Sequence, residues 1–101
     1  IVIFSNMGSI KKINVLLKQI EPKLDFILRE TEYPAIADKN KIFVECRTIC
    51  VLMNEIMDIV GTSGQMVFLA PYFLKGKKLT LPEISQIVAQ IVDKGERICN
   101  N

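Results

Sequence analysis

Cys46 and Cys50 are the residues whose type and spacing come nearest to chemistry. They stand one helical turn apart, so a helix would carry both sulfurs on one face. Cys99 is the third cysteine, near the far end of the chain. A zinc site usually takes four ligands, and these thiols would need a carboxylate as a strained fourth, so no metal site is expected. A disulfide from Cys99 to Cys46 or Cys50 would leave one thiol over for an intermolecular bond. The third reading makes all three small buried hydrophobic groups.

Other chemistry finds little support. The chain contains no histidine, which removes the usual general base near neutral pH and the commonest metal ligand. No Ser-His-Asp or Cys-His arrangement can therefore form within this chain. Glu30 and Glu32 do not face each other on a helix, whereas Glu55 and Asp58 do, as a solvated strip. Gly61-Thr62-Ser63-Gly64 lacks the lysine that a phosphate-binding loop requires and reads as a turn. The expectation is a protein without enzymatic activity and without a cofactor.

One segment admits a sharper reading. Met66 to Leu74 is uncharged and leads into Lys75, Lys77 and Lys78. Phe68, Leu69, Tyr72 and Phe73 could plug one end of a helical core. They could equally anchor a protein partner, or face anionic lipid with the lysines as a basic rim.

Those side chains need elements to position them, and isoleucine supplies the pattern. It recurs every seven residues as Ile13, Ile20, Ile27, then Ile42, Ile49, Ile56, then Ile84, Ile91, Ile98. Seven residues is two helical turns, so each series makes one stripe on one helix. The spacing predicts a first helix over Ser9–Thr31. Pro22 lies off its seam, so one kinked helix is expected, and the alternative is two helices that part at Glu21. A second helix is expected from about Ala35 to Val60. Its seam is Ile42, Cys46, Ile49, Met53, Ile56 and Val60, and Phe43, Val44, Cys50, Val51, Leu52, Met57 and Ile59 widen the apolar arc, which marks it as a buried hub. Gly61 to Gly64 should end it.

Met66–Leu74 is read as a short helix, since Pro71 makes it a poor central strand. Thr80-Leu81-Pro82-Glu83 has capping-box spacing and opens a third long helix, with Gly95 a point of weakness before Ile98. The predicted fold is all-α: one domain over residues 1–101, a small bundle of four or five helices in heptad phase, packed near 20° to one another.

Composition bounds the function. Half of the 101 residues are hydrophobic and the mean hydropathy is +0.28. A domain this small has much surface per volume, so some apolar area should remain outside. A net charge of +2, with Lys11, Lys12 and Lys18 as a solvated face, argues against nucleic acid. No apolar run reaches the roughly 20 residues of a membrane-spanning helix. No Asn-x-Ser/Thr acceptor occurs. Ile1 to Phe4 reads as the trimmed end of a longer chain or the product of processing.

The expected role is an interaction module that self-associates or docks a protein partner through an apolar face. The alternative is a carrier of lipid or another small apolar ligand, held between helices by residues such as Phe43, Met53 and Met57.

Overall fold

A computed structural model describes the backbone of residues 2–63, 69–70 and 79–100, and the side chains of residues 8, 10–61 and 79–100. Helix α1 spans Val2–Glu32, α2 spans Lys39–Ser63 and α3 spans Leu81–Cys99. Among the described residues there are three α-helices, not four or five. Each packs on both of the others, so the all-α expectation holds at the level of an up-down-up three-helix bundle.

The core assembles from the aliphatic stripes. Ile13, Ile20, Ile27, Ile42, Ile49, Ile56 and Ile84 are completely shielded, Ile91 is buried, and Ile98 is half-buried against the same cluster. Leu17, Leu24, Val60, Leu81 and Val88 fill the space between them. Each such side chain contributes about 1.5–3 kcal/mol on leaving water. Among the described residues no polar or charged residue lies in this core.

α1 runs unbroken through Pro22, which is exposed. Proline cannot donate to the carbonyl one turn earlier, at Lys18, and on the outer side of a helix water can take that place. The two-helix alternative is therefore not what forms. α1 also begins at Val2 rather than Ser9.

The turn into α2 corrects a boundary. Pro34–Ile36 form one turn of 3-10 helix, and α2 starts at Lys39, not Ala35. Asp38 caps it: its Oδ1 accepts from the Lys41 amide at 3.1 Å, while its carbonyl accepts from the Ile42 amide at 3.0 Å. Glu30 Oε1, at the end of α1, accepts from the Asp38 amide at 2.8 Å and ties the two helices together. Further along, Lys23 Nζ stands 3.1 Å from Glu45 Oε2, and Lys41 Nζ lies 4.5 Å from the centre of the Phe26 ring. The buried Glu45 oxygen makes no hydrogen bond, so the Lys23 contact is one of charge.

α2 does not stop at Gly61 but continues to Ser63. Glycine weakens a helix without being obliged to end it. The expectation of a helix over Met66–Leu74 is corrected at Leu69–Ala70. These form strand β1, paired antiparallel with β2, Leu79–Thr80, in the register Leu69 to Thr80 and Ala70 to Leu79. The rest of that segment lies outside the described residues. The capping box at α3 forms as expected. Glu83 Oε1 accepts from the Thr80 amide at 3.1 Å and from its hydroxyl at 2.7 Å, and the Thr80 hydroxyl oxygen accepts from the Glu83 amide. Gly95 does not interrupt α3, which continues to Cys99.

Candidate docking face and the cysteine cleft

A helix with two neighbours keeps a third side of its own. On α2 that side is unusually apolar. Phe43 is 54% exposed, Val44 57%, Val51 57% and Met57 49%. The expectation that α2 is a buried hub is thereby corrected. Its inner seam of Ile42, Cys46, Ile49, Ile56 and Val60 is buried, while much of the wider apolar arc faces out. The outer face also carries Arg47, whose guanidinium carbon lies 5.7 Å from the centre of the Phe43 ring, and Asp58.

Phe43, Cys50 and Met57 follow one another at seven-residue steps along the edge of this face toward α3. There a groove of about 560 Å³ separates the two helices. Ile49, Met53, Met57, Val88 and Val92 line it, and Asp93 and Glu96 form its far rim. On the opposite edge, Lys11, Lys12 and the 55% exposed Val15 of α1 stand across from Glu55 and Asp58 of α2.

Toward the start of α2 the groove adjoins a cleft of about 400 Å³. All three cysteines line it, with Phe43, Arg47 and Glu96. Cys46 is buried, Cys99 half-buried and Cys50 exposed, and all three are free thiols here. Cys46 Sγ donates to the Val92 carbonyl at 3.8 Å, and Cys99 Sγ donates to the Lys39 carbonyl at 3.3 Å. Burial first, then the neighbouring Cys99, Glu96, Cys50 and Glu45, push the Cys46 thiol up to about 11. It therefore stays protonated near neutral pH, and a thiol is a far weaker nucleophile or metal ligand than a thiolate. Among the described residues, no three of His, Cys, Asp and Glu stand where they could hold a metal ion, and no helix is long and apolar enough to cross a membrane.

Of the residues singled out from sequence, Met53 and Met57 line the α2–α3 groove, and Phe43 lines the adjoining cleft with the three cysteines. Leu69 belongs to β1. Phe68, Tyr72, Phe73, Lys75, Lys77 and Lys78 lie outside the described residues. Sequence reasoning put Val44 and Val51 on the inside, yet they are on the crest of the exposed face. The signal that could have moved them outward is their company: Arg47 and Asp58 share their side of the helix.

Fold and surface together define a class: among the described residues, a three-helix bundle with a half-exposed apolar helix face. No protein-family model, curated protein or solved structure matches this chain.

Proposed function

We propose that this chain is a non-enzymatic helical interaction module that docks a protein, either a different one or a second copy of itself, through the outer face of α2. The observation that carries this reading is the run of half-exposed Phe43, Val44, Val51 and Met57 along one helix of a small domain. Contiguous apolar surface of this kind, interleaved with a few charges, is typical of sites that another protein covers. Isoleucine burial at seven-residue spacing supports heptad-phased packing of the three helices, which would leave this face rigid and ready to dock. The lack of histidine and the protonated Cys46 favour a binding role over a catalytic one.

The test is site-specific photocrosslinking from position 51 in the cells that make the chain. Adducts formed from position 51, and lost when Phe43 and Met57 are both changed to serine, would support the reading. An absence of adducts from position 51, or adducts unchanged by those substitutions, would sink it.

A second reading keeps one observation of its own. The α2–α3 groove has the volume of a small-molecule site, within the roughly 300–1,000 Å³ usual for such pockets, and two methionines line it. A lipid or other small apolar ligand would lie there half-covered. Native mass spectrometry of the purified chain would reveal such a ligand, and an empty chain with no bound mass would remove this alternative.

A further inference from the structure

We infer that the occupant of the α2 face is a second copy of this chain, laid antiparallel across a two-fold axis; this rests on the docking role proposed above and names the partner. The outer face of α2 has its own seam, on the side of the helix opposite the core. Val44, Arg47, Val51, Asn54, Asp58 and Gly61 follow one another in alternating three- and four-residue steps, the spacing of a helix-pairing surface. All six are exposed.

The two charges of this seam select the partner and its direction. Arg47 and Asp58 lie at equal distances on either side of the point midway between Leu52 and Met53. Turned end for end about that point, a second α2 brings its Asp58 to Arg47 and its Arg47 to Asp58. Val51 then meets Asn54, and Val44 meets Gly61, where nothing lies within 4 Å of the Cβ position to obstruct it. A parallel copy in register would instead set Arg47 against Arg47 and Asp58 against Asp58. Opposite charges at mirrored positions are what a self-complementary interface requires. Arg47 is already arranged over the Phe43 ring on this face. Asp58 is engaged within its own chain, so the arginine of the second copy adds to an existing contact.

The flanks agree with this direction. In antiparallel pairing the same edge of each helix meets, so Phe43, Cys50 and Met57 of the two copies join in one apolar strip. A helix of 25 residues is about 37 Å long and presents a face about 10 Å wide. That footprint is smaller than a standard stable interface buries, so the dimer should be a weak one that forms at the upper end of the micromolar range.

Sedimentation velocity on the full chain across micromolar concentrations tests this, with circular dichroism as the check on folding. The wild-type chain should shift from monomer to dimer as concentration rises. Arg47→Asp and Asp58→Arg should each remain helical and monomeric. An equimolar mixture of these two variants should form a heterodimer, because one now carries only acids at the paired positions and the other only bases. The double variant R47D/D58R should again dimerise with itself. A wild-type chain that stays monomeric, a dimer that persists in Arg47→Asp, or a mixture that fails to associate would each overturn the proposal. If the chain is monomeric but position 51 still crosslinks to another protein, only the self-association fails and the docking role stands. If neither occurs, both fail.

Discussion

Gly95 of α3 lies so close to Cys46 of α2 that a Cβ on the glycine would sit 2.9 Å from the cysteine sulfur. The same Cβ would meet Ile42 Cγ2 at 3.1 Å and Ile27 Cγ2 at 3.2 Å, so two helices converge on this glycine. Alanine favours a helix interior over glycine by about 1 kcal/mol. Overpacking a core opposes it by about 1–3 kcal/mol. Overpacking should win here, because a shift away from α2 presses the methyl group into α1. Gly95→Ala should therefore lower stability in urea unfolding by about 1 kcal/mol. Combining it with Cys46→Ala removes the tightest contact, and the pair should show favourable coupling of about 1 kcal/mol. A Gly95→Ala variant more stable than wild type would contradict the close approach.

Cys46 should also leave a mark on the alkaline limb of stability. Its pKa is raised from an ordinary 9.0 to about 11, chiefly by burial. A raised folded pKa means that the unfolded chain gives up the proton first. The stabilisation is thus complete below pH 9 and is lost progressively as pH rises from 9 toward 11. Cys46→Ala should show a shallower decline over that window. Thiol labelling near neutral pH should follow exposure, with Cys50 modified first, Cys99 next and Cys46 only on unfolding.

Ile49 and Val51 are two residues apart on α2, one fully shielded and the other 57% exposed. Ile49→Ala should cost about 2–5 kcal/mol through lost burial and a residual cavity. Val51→Ser should change monomer stability by no more than about 0.5 kcal/mol. Chemical denaturation at concentrations below association compares them directly. A large loss at Val51 would mean that this side chain belongs to the fold rather than to an interface.

The Thr80–Glu83 capping box predicts an acid-side effect. The Thr80 hydroxyl, and then its amide, donate to the Glu83 carboxylate and hold its pKa below the ordinary glutamate value. A lowered folded pKa means the contribution is present above the unfolded value, about 4.3, and is lost as pH falls through the folded one. Carbon-detected NMR titration should place Glu83 below the ordinary glutamate value, and Thr80→Ala should move it back. The same substitution should destabilise α3 by about 1 kcal/mol at neutral pH.

Local signals in the chain suffice where their physical cause is local. The isoleucine stripes at 13, 20, 27, 42, 49, 56 and 84 are the core, and Thr80 with Glu83 starts α3 as spacing alone implied. The Asp38 cap is also written in the chain, three residues before Lys41, although the expected start at Ala35 lies ahead of the observed one at Lys39. Gly61 and Gly95 misled in the opposite sense, because backbone freedom permits a helix to end without requiring it.

What sequence alone determined, then, was which side chains share a face of each helix, since that depends only on the 3.6-residue turn. Tertiary structure decided how many neighbours cover each face. Among the described residues α2 has two, so Val44, Val51 and Met57 stay outside although their hydrophobicity matches that of residues within. The same packing brought Cys99 to Cys46 and Cys50 across two helices, and set Gly95 where a methyl group would crowd both α1 and α2. Periodicity records the direction in which a side chain points; the number of helices available to meet it is a property of the assembled bundle.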